Sequence, residues 1–332
     1  MIFHPLVIAL YVASILTSFM VLYASCFGMQ ILRRWDLHSG SEIQLGLERK
    51  TYLISTLLAY LFGSQLLSLF LYIFTADHLH ALFVGAMCAA GSLYVNGFGY
   101  PTLIFKIVTF LFAGLWLILN YVDNRGYDYP LIRKKYAFLL VAAPLILVEM
   151  VLQANYFFRL KPDIITSCCG SLFSSSSSGL ASEISALPAI PMKVAFYLSV
   201  FLTVASGLSF YWKGRGGYLF SLMSGVTFVV SILSILSFIS LYFYELPTHH
   251  CPFCILQGEY GYIGYPLYLT LLGGALSGIG AGILMPFRNT ESLVKVVPSV
   301  QRRLALTSVV LFLIFTIIVT IRMVISDFML EG

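Results

Sequence analysis

Cys251 and Cys254 close a His-His-Cys-Pro-Phe-Cys run that begins at His249, and two residues between thiols is the spacing of a pair that can cycle between dithiol and disulfide. At a helix N-terminus such cysteines are biased toward the thiolate. Pro252 suits a first helical turn, because the N–H it lacks would have no partner there. The run therefore predicts a dithiol heading a long apolar helix. The same spacing also holds zinc where a second pair or well-placed histidines complete the ligand set. A second sulfur-bearing stretch carries the vicinal pair Cys168-Cys169. Neighbouring Cα atoms lie about 3.8 Å apart, below the ~4.4 Å usual for a disulfide, so a bridge within that pair would be strained and easily reduced. Otherwise each sulfur has another partner, for which Cys88 and Cys251 are the candidates.

The elements that must position these thiols are membrane helices. Of the 332 residues 59% are hydrophobic and 10% charged, which excludes a soluble domain with a polar exterior. Long apolar runs without strand-like alternation predict an all-α polytopic membrane helical bundle and not a barrel. Eight transmembrane helices are expected, over residues 4–32, 51–76, 102–122, 137–159, 191–212, 217–243, 261–286 and 304–326. Arg33, Arg34, Arg49, Lys50, Arg125, Arg133, Lys134, Lys135, Lys213, Arg215, Arg288, Lys295, Arg302 and Arg303 all fall in alternate inter-helix segments. Those segments are then cytoplasmic and both termini lie outside. The net charge of +5 is thus a topology signal and does not point to nucleic acid.

On this topology Cys88, Cys168, Cys169, Cys251 and Cys254 share the outer side with His4, His78, His80, His249 and His250. In a bacterial inner (plasma) membrane that side is the oxidising one, where thiol chemistry and soft-metal binding belong. The outer segment 77–101 mixes Asp77, His78, His80, Cys88 and Asn96 with apolar residues and glycine, and reads as re-entrant or lying at the interface. The outer loop 160–190 carries the vicinal cysteines and a five-serine run, Ser174 to Ser178, that reads as a flexible spacer. Glu149 falls near the middle of its span, where a carboxylate marks either a proton path or a partner of Lys106 or Arg322. Gly274, Gly278 and Gly282 have the four-residue spacing of a close helix packing face.

The stretch from about 137 to 286 resembles the four-helix core of the vitamin K epoxide reductase family and, more distantly, the bacterial disulfide bond formation protein B. The resemblance rests on Ser-Cys-Cys-Gly-Ser-Leu-Phe-Ser-Ser from Ser167 to Ser175, two spans, then Cys251-Pro252-Phe253-Cys254, continued by Ile255-Leu256-Gln257 and Gly264-Tyr265-Pro266-Leu267. It departs from those families in having adjacent loop cysteines, and in carrying Gln257, Gly258 and Glu259 where the second family has an arginine. The resemblance implies a membrane thiol-disulfide oxidoreductase. Cys168 or Cys169 would exchange with an exoplasmic thiol protein or small thiol, Cys251 with the loop cysteine, and Cys254 with a membrane quinone contacted by Gln257, Tyr260 and Tyr262. It divides the chain into an N-terminal three-helix region (1–136), a four-helix redox core (137–286) and a cytoplasmic loop with a last helix (287–332).

Two other classes fit the same residues. His78, His80, Cys88, His249 and His250, with the four other outer cysteines, form a soft-ligand collection suited to copper(I) or zinc, as in a metal-handling or metal-transporting membrane protein. A non-catalytic membrane subunit of a redox complex would need the helices but not the thiol turnover.

Overall fold

Backbone inside hydrocarbon must satisfy its own polar groups, so each apolar run forms a helix. The computed structural model describes residues 3–36, 41–161, 165–166, 187–326 and 328. Its helices are α1 (Pro5–Arg34), α2 (Glu42–Leu79), the short α3 (Ala89–Tyr94), α4 (Gly99–Asp123), α5 (Ile132–Phe158), α6 (Ala189–Lys213), α7 (Gly217–Ser234), α8 (Ser240–Tyr244), α9 (Gly264–Ile283) and α10 (Val296–Ile325). A π turn over Ile235–Ile239 joins α7 to α8, and the two form one span. Among the described residues eight helices are long and apolar enough to cross a membrane, and the chain is an all-α polytopic bundle. Several helices outrun their apolar stretch; α2 starts at Glu42, nine residues before the expected span, because the helix continues through Arg49 and Lys50 into the polar flank. Among the described residues the extended pairing is an isolated parallel bridge between Val84 and Ile165.

The chain divides into two compact units. The first comprises Met1–Ala76, Leu93–Pro162 and Phe287–Val297. Here α5 packs on α1, where Tyr11 Oη donates to the Ala154 carbonyl (3.1 Å) and Gln153 Nε2 to that of Leu10 (3.2 Å). It also packs on α4, where Lys106 Nζ meets Glu149 at 2.7 Å. In this unit the fourth span packs with the first three, held by these polar contacts. Aromatic packing fills the rest of this unit, with Phe62 edge-on to Trp116 at 5.0 Å inside a cluster that includes Tyr136 and Ile146.

The second unit comprises Asp77–Ser92, Asp163–Pro286 and Pro298–Gly332. Its helices meet through small residues. A Cβ added at Gly278 would lie 2.1 Å from Ser224 Oγ on α7, and one at Gly282 2.3 Å from Ser221 Cβ, so glycine is what lets α9 and α7 approach. Of the glycine stripe read from the sequence, Gly278 and Gly282 form this face, while Gly274 lies against Phe312 of α10.

Candidate functional site

The second unit gathers three sulfurs at one point. Cys88 lies just ahead of α3, whereas Cys251 and Cys254 lie between α8 and α9, and the Sγ atoms of all three fall within 4.8 Å of one another. Cys88 Sγ is 3.6 Å from Cys251 Sγ across 163 residues of chain. None of the three is in a disulfide. All are buried, with Cys88 and Cys251 at 0% exposure and Cys254 at 5%.

The dithiol does not head a membrane helix as its spacing suggested. Cys254–Leu256 forms a single 3₁₀ turn, Gln257 then turns extended (ψ 161°), and α9 starts only at Gly264. Gly261 (φ +63°) and Tyr262 (φ +55°) adopt the left-handed conformation, which a continuous helix cannot contain. The field of a long helix is therefore not what biases these thiols. They are instead set by a hydrogen-bonded frame.

Tyr244, the last residue of α8, anchors one side of that frame. Its hydroxyl donates to the Cys251 carbonyl (2.5 Å) and accepts from the Ile255 amide (3.0 Å), spanning the dithiol. Tyr268 Oη on α9 donates to the Pro252 carbonyl at 2.6 Å. On the other side Asp77 Oδ1 accepts from the Ala89 amide (3.1 Å) and from Gln257 Nε2 (3.2 Å), and Gln257 Nε2 also donates to the Met87 carbonyl (2.9 Å). The residues before and after Cys88 are thus tied to the strand of chain that follows Cys254. The sequence offered no specific sign of Tyr244, Tyr268 or Asp77 in these roles. The nearest signal for Asp77 is that it is the sole acid in a segment without Lys or Arg.

The histidines separate into two kinds. His249 Nε2 lies 3.4 Å from Cys254 Sγ, with the ring edge-on to Tyr244 at 4.4 Å. His250 turns away, and because a carbonyl only accepts, its Nδ1 must carry the proton it donates to Leu236 in the π turn (2.9 Å). His80 Nδ1 bonds the Asp77 carbonyl and His78 is exposed at the end of α2; neither joins the sulfur group. Tyr260 packs edge-on to Tyr244 at 4.9 Å, and burial, with the neighbouring Cys254 second, raises its hydroxyl above the ordinary tyrosine value, so it stays protonated at neutral pH. Tyr262 is largely exposed. Cys168 and Cys169 lie outside the described residues. The approach to them is described, however: the Thr166 amide donates to the Val84 carbonyl at 2.9 Å, four residues before Cys88.

The buried carboxylate of the first unit is accounted for by its neighbours. Glu149 accepts from Lys106, Gln65 Nε2 (2.5 Å) and Thr109 Oγ1 (2.5 Å), which makes it the Lys106 partner, while Arg322 pairs with Glu245 at 3.2 Å.

Chemically, the second-unit site holds three convergent thiols, one imidazole able to exchange a proton with Cys254, and a rigid surround. No family model matches this chain, no curated protein matches it, and no solved structure matches it. What the molecule is shown to be is a multi-pass α-helical membrane protein with a buried three-thiol centre.

Proposed function

We propose that this chain is a membrane thiol-disulfide oxidoreductase, passing electron pairs from an exoplasmic dithiol to a membrane quinone on the oxidising face of a bacterial plasma membrane. The observation that carries the reading is the 3.6 Å approach of Cys88 Sγ to Cys251 Sγ beside Cys254, near the separation from which thiolate attack begins. In the oxidised enzyme Cys251 and Cys254 share a disulfide. Cys88 attacks Cys251, a Cys88–Cys251 bond forms, and the Cys251–Cys254 bond breaks. Cys254 leaves as thiolate and takes, through His249, the proton Cys88 gave up. Cys168 or Cys169, the proposed entry point, is reduced by a soluble dithiol and attacks Cys88; the Cys88–Cys251 bond breaks, Cys251 leaves as a thiol, and the bond formed at Cys88 is resolved by the second thiol of the donor pair, which ends as a disulfide. The Cys251–Cys254 dithiol then gives two electrons and two protons to the quinone and re-forms its disulfide, with Tyr260 and Tyr262 proposed to border the quinone. Per turnover the donor dithiol becomes a disulfide and the quinone a quinol, with two electrons and two protons transferred.

The test supplies reduced dithiothreitol and a short-chain ubiquinone to the purified chain in nanodiscs and follows quinol formation. Cys251→Ala and Cys254→Ala should each reduce turnover at least 100-fold, and Cys26→Ser, a thiol of α1 outside the cluster, should leave it unchanged. Wild-type protein that reduces no quinone, or a Cys254→Ala variant with unchanged turnover, overturns the assignment.

A further inference from the structure

The sulfur cluster has a second capacity that does not depend on redox turnover. We propose that, when reduced, it binds one zinc ion through Cys88, Cys251 and Cys254, with His249 as the fourth ligand. Zinc–thiolate bonds of about 2.3 Å place two sulfurs on one tetrahedral ion about 3.8 Å apart. Cys88 and Cys251 are 3.6 Å apart and no pair in the cluster exceeds 4.8 Å. An imidazole nitrogen and a thiolate sharing a zinc lie about 3.5 Å apart, and His249 Nε2 stands 3.4 Å from Cys254 Sγ. That nitrogen is not within 4.8 Å of all three sulfurs, so the ion draws it in from the Cys254 side.

Ligand chemistry and charge narrow the choice of cation. The group contains sulfur and no carboxylate, which disfavours calcium and magnesium and selects a thiophilic d¹⁰ ion. Three thiolates around zinc(II) leave a net charge of −1, whereas around copper(I) they leave −2. At sulfurs exposed by 5% or less, the smaller residual charge is favoured. The frame supplies the rigidity a metal site needs: Asp77 and Gln257 fix the chain on either side of Cys88, and Tyr244 fixes it on either side of the dithiol.

The experiment uses the full chain, reduced, anaerobic and stripped of metal in detergent, titrated with Zn²⁺ against a chromophoric chelator and separately with Co²⁺ as a spectroscopic substitute. Binding of one zinc per chain is expected, with a cobalt spectrum showing thiolate charge transfer and the strong visible bands of tetrahedral geometry. Cys88→Ser should weaken zinc at least 10-fold, and His249→Gln should alter the cobalt bands while keeping the charge transfer. Because Cys88→Ser could itself disturb folding, wild-type protein is also alkylated with and without zinc: protection should cover Cys88, Cys251 and Cys254 and leave Cys26 open. Absence of zinc binding, copper(I) binding alone, affinity unchanged in a folded Cys88→Ser variant, or protection confined to Cys168 and Cys169 each overturns the site. No quinone is present, so a chain that binds zinc without turnover refutes only the redox reading, and one that turns over without binding zinc refutes only this one.

Discussion

In the first unit the buried polar centre is made of full charges whose partners are hard donors: Glu149 takes hydrogen bonds from Lys106, Gln65 and Thr109, and Asp123 takes one from Lys135 at 2.8 Å and another from the Leu131 amide. In the second unit the buried polar centre is sulfur, and the sulfurs meet one another and an imidazole. Both centres are withdrawn from solvent, yet they answer the cost of burial in different ways. A carboxylate ringed by donors is spent on holding α2, α4 and α5 together. Thiols are close to apolar when protonated, so three can be buried at little electrostatic cost and still become nucleophiles or ligands on losing a proton. The contrast teaches that a buried ionisable group in a membrane chain is not by itself a functional centre; what it is bonded to decides.

The largest effect that would sharpen this contrast belongs to the ion pair. Lys106→Met or Glu149→Leu alone leaves one uncompensated charge among buried side chains and should destabilise the chain by about 3–5 kcal/mol, whereas the double variant should recover most of that loss. Thermal unfolding in detergent measures all three, and a double variant as unstable as the singles would show that the pair does more than compensate itself. A smaller effect is expected from packing in the second unit. Gly278→Ala forces a methyl against Ser224 and should cost about 1–3 kcal/mol, while Gly225→Ala on α7, with nothing within 4 Å of its added methyl, should be neutral or stabilising by up to about 1 kcal/mol. Equal effects at the two glycines would mean that close helix approach does not hold this unit together. The smallest effect is expected at the exposed pair Arg322–Glu245, where Glu245→Gln should shift stability by no more than about 1 kcal/mol, because Arg322 keeps its bonds to the carbonyls of Tyr242 and Phe243.

The eight helices were legible in the sequence because hydrocarbon demands long apolar runs, and that demand is local. The packing role of Gly278 and Gly282 was legible for the same reason, since a four-residue repeat marks one face of a helix. Grouping was less legible: nothing local in residues 137–159 says that α5 pairs with α1 and α4, although Glu149 and Lys106 carried a hint of it. The site was half readable. Cys251 and Cys254 announced themselves by spacing and Cys88 by its position on the outer side, but their meeting depends on Tyr244, Asp77 and Gln257, ordinary residues whose roles arise only from tertiary contact. Gln257, expected as a quinone contact, also has its amide engaged with Asp77 and Met87, a role the sequence gives no sign of. The helix start at Gly264 lies three residues from the expected 261; what the sequence does not show is that the dithiol stands apart from it, because Cys-Pro-Phe-Cys resembles a helix opening whereas the backbone breaks lie at Gln257, Gly261 and Tyr262.

The π turn between α7 and α8 sets the angular phase of α8. A π turn amounts to one residue more than an α-helix would hold, and each residue advances a helix by about 100°. That single extra step aims Tyr244 at the backbone around the dithiol, and the Leu236 carbonyl within the same turn receives His250. The bearing of α8, and with it the reach of Tyr244 to the Cys251 carbonyl and the Ile255 amide, therefore follows from one extra residue in the helix leading to it.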